Sequence, residues 1–201
     1  MSSEKRRYQL KARAKHQEAT RRRIIEATAA LHDEVGPART TVAEIARRAG
    51  VQRLTVYNNF PDETTLYEAC GAHWMSEHPL PDMSDALSDT DPAERLRRVL
   101  EGLYGWYRET ALSNEHLQRD RLMLPALDAV MRVRTDQQMA ELADTLAAAF
   151  ELARDTLAVR AAVGLAIDFW TWRRLSSEGM TDAAASLVMM NSVRAAAGLL
   201  A

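Results

Sequence analysis

Residues 41–60 read TVAEIARRAGVQRLTVYNNF, and this stretch decides the fold. Its spacing predicts two short helices joined by a tight turn. Thr41 is placed to cap the first helix, and Glu44, three residues on, completes a capping box. Val42, Ile45, Ala46 and Ala49 lie three, four and seven residues apart and share one face. Gly50 ends the helix, being able to take positive φ without penalty. The second helix spans 52–59, with Val56 turned inward and Phe60 four residues on. Gln52, Arg53, Thr55, Asn58 and Asn59 are left for the outer face. Such side chains read base edges and grip phosphates. Helical hairpins also occur in proteins that bind no nucleic acid, so the flanking chain must decide.

The chain has 201 residues, 47% of them apolar and 27% charged, with sparse Gly and Pro and abundant Ala. This is an all-helical composition. A single cysteine, Cys70, excludes an intrachain disulfide and a multi-cysteine metal site. The charged N-terminus has no apolar leader, and no 18-residue apolar run exists, so a cytoplasmic protein without membrane contact is expected. The formal net charge of -2 conceals a split: residues 1–60 sum to +7 and residues 61–201 to -9. A basic head on an acidic body concentrates the attraction for a polyanion in one place.

Residues 1–15, with all three lysines, read as a basic flexible arm. It is either a solvated tail or an arm that follows DNA. The first firm helix is expected from about Lys15 to Val35, with Ile24, Thr28, Leu31 and Val35 inward, and Gly36-Pro37 ending it. Residues 16–62 then form a three-helix domain whose small core must lean on the next helix, 63–77, capped by Asp62. Residues 78–91 read as a loop. Further helices are expected from Pro92 to about Thr110, then over 113–120, 125–150, 155–177 and 181–200, with Thr181 or Asp182 capping the last. Residues 63–201 are thus a helical body.

Taken together, TVAEIARRAGV followed by TVYNNFPDETTLY, behind a basic arm and a long helix, resembles the TetR family of transcriptional regulators. The resemblance rests on Ala46, Ala49, Gly50, Val51, Thr55, Val56, Tyr57, Phe60 and Leu66, within roughly residues 20–68. It implies an all-α protein in which a helix-turn-helix domain is fused to a ligand-binding and dimerisation bundle. By position, Thr55 contacts DNA, Tyr57 touches a backbone phosphate, and Gln52, Arg53 and Leu54 help choose the operator. Asn58, Asn59, Thr41 and the arm residues Lys5, Arg6 and Arg7 complete the expected DNA-binding set. Three positions depart from the family pattern. Gln52 stands where a better cap is usual, Leu54 where a small residue is usual, and Glu63 where lysine is usual.

In the body, residues 161–167 are apolar on all sides, and 181–200 is rich in small apolar residues. Both are either central helices of one core or the halves of a two-fold interface, and a regulator with two heads needs the interface. The expected homodimer joins through 155–177 and 181–200 and reads an inverted-repeat operator. Asp168 interrupts the apolar run. As a buried carboxylate it would pair with Arg160, Arg173 or Arg174, or face a ligand. Trp106, Tyr107, Met123, Phe150, Asp168 and Trp170 are the candidate lining of a site for a small apolar or amphipathic effector. Helix 63–77 would carry its effect to the head. No metal-spaced histidines, catalytic triad or phosphate loop is present, so no cofactor and no enzymatic role are expected. A helical adaptor with a polyanion-binding head is the alternative, and a small helical enzyme the more distant one.

Overall fold

The computed structural model describes residues 3–150 and 155–199, the side chains of residues 3–6 excepted. Every regular element among the described residues is helical. The chain divides into two compact units. One holds residues 1–78 and 115–130, the other residues 79–114 and 131–201.

The first unit begins with α1 (Ser3–Val35). This helix starts at Ser3 and not near Lys15, because residues 5–20 contain no Gly or Pro and consist largely of good helix formers. Lys5 and Arg6, expected in the DNA-binding set, have side chains outside the described residues, whereas Arg7, Lys11, Arg13 and Lys15 are exposed along the helix. Ile24, Ala27, Thr28 and Leu31 form its buried face. Val35, expected inward, is exposed at the helix end. A 3-10 turn, Pro37–Arg39, leads to α2 (Val42–Ala49), α3 (Arg53–Asn59) and α4 (Glu63–Glu77). One core joins them: Ile24 and Leu31 of α1, Ile45 and Ala49 of α2, Val56 and Phe60 around α3, Leu66 and Cys70 of α4. The three-helix head does lean on the next helix, since α4 completes its core. Removing most of a side chain as buried as Ile24 destabilises by about 2–5 kcal/mol. Burial pushes the Cys70 thiol up to about 12, and its Sγ lies 3.9 Å from the Ile25 carbonyl oxygen. At the far end of α4, Trp74 Nε1 donates to Asp33 of α1 at 3.1 Å.

The second unit is built on α6 (Pro92–Glu109), capped by Asp91, whose carboxylate accepts the Ala93 N–H. Leu96, Val99, Leu100, Leu103, Tyr104 and Tyr107 are its buried stripe. The expected loop before it holds a short helix, α5 (Ser84–Leu87). After α7 (Ala111–Asp120) comes the expected 125–150 helix, present as α8 (Pro125–Met131), a wider π turn over Arg132–Asp136, and α9 (Gln137–Ala148).

The expected helix 155–177 is two helices, α10 (Thr156–Ile167) and α11 (Phe169–Ser177). Asp168 marks the break. It is exposed, and its carboxylate caps α11 by accepting the Thr171 N–H at 2.8 Å. It is neither a buried partner for arginine nor an inward-facing acid. The end of α10 is closed from below. Tyr104 Oη donates to the Ala166 carbonyl at 2.6 Å and Tyr107 Oη to the Ile167 carbonyl at 2.8 Å. These are carbonyls a helix end leaves without partners. Burial holds both phenols well above the usual tyrosine range. The last helix, α12 (Asp182–Ala196), is capped by Thr181 and packs on α6 and α10. Asp182 receives both Arg108, at 2.6 and 2.8 Å, and Trp172 Nε1, at 3.1 Å.

Candidate nucleic-acid interface

The hairpin of α2 and α3 is held by local chemistry. Thr41 Oγ1 accepts the Glu44 N–H at 3.2 Å. The reciprocal half of the capping box does not form, because the Glu44 carboxylate pairs with Arg47. Gly50 sits at φ 64° and ψ 42°, and the Val51 N–H returns to the Ala46 carbonyl at 3.0 Å. Such a left-handed closure turns the chain sharply and suits glycine. Gln52 is the residue before α3 and makes no side-chain cap.

Val56 and Phe60 are buried and fix which side of α3 faces outward. Gln52, Arg53, Leu54, Tyr57 and Asn58 are exposed together, and Thr55 is half-buried among them. Leu54 is 65% exposed, an apolar side chain on the outward side of α3. Asn59 departs from that face. It is half-buried, and its Nδ2 donates to the Thr55 carbonyl at 2.7 Å, so it serves the last turn of its own helix. Thr41 is exposed beside the hairpin, with its hydroxyl engaged in the cap.

Arg21, one of the basic residues near the start of the first helix, is turned to α3. Its Nη1 donates to the Asn59 carbonyl at 2.8 Å, and its guanidinium lies 4.1 Å from the Phe60 ring centroid. The arginine therefore neutralises the C-terminal end of α3 and clamps it to α1. The signal was present: Arg21 precedes Ile24 by three residues and so shares its inward face.

Elsewhere on the unit the cations are partly matched. Arg48 pairs with Glu34 at 2.5 Å and Arg22 with Glu26 at 2.7 Å. These exposed pairs contribute little to stability, but they reduce the local positive field. Glu63 is exposed in the first turn of α4, behind Asp62. Asp62 accepts the Thr65 N–H at 2.7 Å and the Thr65 hydroxyl at 2.8 Å, which hold its carboxyl below the usual range. Both acids favour the positive end of the helix, a local reason for Glu63 to stand there.

A region matching the model for bacterial regulatory proteins of the TetR family covers residues 24–70. Over these residues the chain resembles the TetR family. Its TetR region corresponds to the helices just described, from the middle of α1 into α4. One curated relative is the HTH-type transcriptional regulator BetI of Serratia proteamaculans, 38% identical over 84 residues, which are 41% of this chain and 42% of that protein. The chain thus matches less than half the length of that relative. The TetR fold extends further than the sequence likeness. A TetR-like regulator from Rhodococcus sp. RHA1 superposes with a TM-score of 0.59 at 22% identity, over 89% of this chain and 96% of that one. RolR in complex with resorcinol superposes with a TM-score of 0.51 at 19% identity, over 90% and 89%.

The expected ligand-lining residues are not gathered at one place. Tyr107 is buried with its hydroxyl committed to Ile167, and Trp106 is half-buried beside it. Trp170 is exposed, and Asp168 is a helix cap. Met123 is 63% exposed and lies in the first unit, not in the helical body. Phe150 alone of the six lines a cleft of the second unit, a hollow of about 380 Å³ edged by Asp91, Pro92, Glu94, Met190 and Arg194. Among the described residues no group of three or more His, Cys, Asp or Glu could hold a metal ion, and no helix is long and apolar enough to cross a membrane.

Proposed function

We propose that the protein is a sequence-specific, ligand-responsive transcriptional regulator that binds double-stranded DNA as a homodimer and acts as a repressor. The observation that carries this is α3. A seven-residue helix is fixed by a buried Val56, a left-handed Gly50 and the Arg21 clamp, yet leaves Gln52, Arg53, Leu54, Thr55, Tyr57 and Asn58 outward. A helix held so firmly with an unused polar face fits the major groove. Arg53 and Gln52 supply the base-edge contacts, Leu54 meets a thymine methyl, and Tyr57 meets a phosphate. Arg7, Lys11, Arg13 and Lys15 along α1, with Lys5 and Arg6 before them, add backbone attraction.

Selection from a randomised duplex library by the intact protein tests this reading. An inverted repeat should emerge. Arg53→Ala should relax preference at one position of each half-site and weaken specific binding by about 1–3 kcal/mol, whereas Tyr57→Phe should weaken all duplexes alike. Equal retention of every sequence by the wild type would defeat the proposal.

For the effector, the second unit is proposed to take a small amphipathic molecule, of the size class of the resorcinol held by RolR, in the cleft at Phe150 and Met190. Its apolar floor and charged rim suit such a compound. Binding should lower affinity for the selected duplex, and the duplex should lower affinity for the compound by the same factor. Titration of a panel of small phenols, followed by tryptophan fluorescence and duplex release, checks this. A compound that binds there without altering duplex affinity would break the coupling.

A further inference from the structure

We propose that Asp120 is a positioning residue for DNA recognition, acting through the turn that leads into α2. The inference rests on the DNA-binding reading above. Asp120 lies 82 residues from Ala38, yet belongs to the same compact unit. Its side chain is shut away from solvent, with the residue 0% exposed. Oδ2 accepts the Ala38 N–H at 2.9 Å, and Oδ1 accepts Arg119 Nε at 2.7 Å. Burial pushes the carboxyl up, but Arg119, the Ala38 N–H and His116 outweigh it and leave the group below its ordinary value.

The turn is shaped to admit this carboxylate. Gly36 stands at φ 88°, and a Cβ on it would lie 2.5 Å from Asp120 Oδ2 and 2.7 Å from an Arg119 nitrogen. Glycine is therefore required there twice, for the backbone angle and for the space. The same turn is tied internally, the Gly36 N–H to the His32 carbonyl at 3.0 Å and Thr40 Oγ1 to the Gly36 carbonyl at 2.9 Å. His116, one turn before Asp120 on α7, places Nδ1 3.2 Å from that His32 carbonyl.

The consequence concerns where α2 begins. Ala38 precedes the Thr41 cap by three residues, and α3 follows α2 after one glycine-closed turn. An N–H at Ala38 without its acceptor would be a partly buried donor facing the space the carboxylate had filled, and the turn would shift to satisfy it. Any shift is passed to Thr41 and on to the outward face of α3, where a displacement of about 1 Å spoils base contacts. The DNA-binding module thus includes a carboxylate from the 115–130 segment, far outside residues 16–62.

The test uses the intact protein, the duplex recovered by selection, and a scrambled duplex of equal length. Each is measured at a temperature where near-ultraviolet circular dichroism shows every variant folded. Asp120→Ala should lose about tenfold or more in affinity for the selected duplex, with little change on the scrambled one, and should speed amide exchange at Ala38. Asp120→Asn keeps an oxygen for Ala38, so it should stay within about threefold of wild type and retain slow exchange. A role in stability alone would not produce that split between duplexes or that rescue. Wild-type affinity in Asp120→Ala would overturn the proposal, as would a tenfold loss in Asp120→Asn with the Ala38 amide still protected. Should the alanine variant not fold, the asparagine variant decides on those same readouts. If the wild type binds no duplex, the DNA-binding reading fails and this inference with it; if it binds and Asp120→Ala matches it, only this inference fails.

Discussion

Leu187→Arg is expected to turn the protein into a monomer and to abolish tight binding to an inverted-repeat duplex. Leu187 on α12 is 48% exposed and Val188 beside it 41%, while Leu165 and Leu157 on α10 are 61% and 78% exposed. The two helices pack on each other within the second unit, and each shows apolar side chains outward. Their inner faces are already used by the core, through Val159 and Val163 of α10 and Val193 of α12. The outward leucines lie off that core and fit the two-fold interface proposed for this protein. Because a two-fold axis presents each substitution twice, one arginine per chain buries two unpaired charges, each costing several kcal/mol. Losing the second head would forfeit an avidity of about 10²–10⁴. Sedimentation velocity at micromolar concentration should show a dimer for the wild type and a monomer for the variant. Circular dichroism should remain unchanged, since the residue is exposed within its own unit. A variant that sediments as the wild type does would remove α12 from the interface.

Acid should destabilise the first unit through His32, and His32→Gln should remove that part of the pH dependence. Burial holds the His32 imidazole down to about 4, against the pull of Asp33 and Asp120, whose charges favour the protonated ring. The folded state thus keeps the neutral form, while the unfolded chain takes a proton near 6.5. Stability from this group is complete above about pH 6.5, falls as pH drops, and stops falling below about pH 4. The full span corresponds to about 3 kcal/mol. Urea midpoints from pH 7.5 to 4.5 should fall more steeply for the wild type than for His32→Gln. The difference between the two should widen by about 2–3 kcal/mol across that range. Parallel pH profiles would mean that the ring is protonated in the folded state. The ring centroid lies 5.8 Å from that of Tyr67, so the amide variant replaces a side chain in van der Waals surroundings and needs its own folded baseline.

The parts of this protein legible in its sequence are those specified within a few residues. Thr41, Gly50, Asp62 and Thr181 announce helix ends because capping is chemistry between neighbours. Val56 and Phe60 fixed the outward face of α3 by spacing alone. What escaped was either phase or distance. Asp168 looked like a buried charge because it follows Ala166-Ile167, yet no Gly or Pro warned that the helix ends there. The ending is imposed by Tyr104 and Tyr107, some sixty residues earlier. The Asn59 amide was counted outward because a seven-residue helix offers few turns from which to judge its last residue. Asp120 left no trace, since its partner is a backbone N–H and every residue has one. The six candidate lining residues share apolar or aromatic chemistry or, for Asp168, charge, and chemical type does not bring side chains to one cavity.

Cys70, the lone cysteine of the chain, sits in the core of the first unit with its thiol pushed up to about 12. At neutral pH it is almost wholly protonated, and no reagent reaches it while α1 and α4 stay together. Its loss to a thiol reagent under native conditions would therefore be paced by the opening of that unit. The intact protein carries its own clock for the breathing of the head.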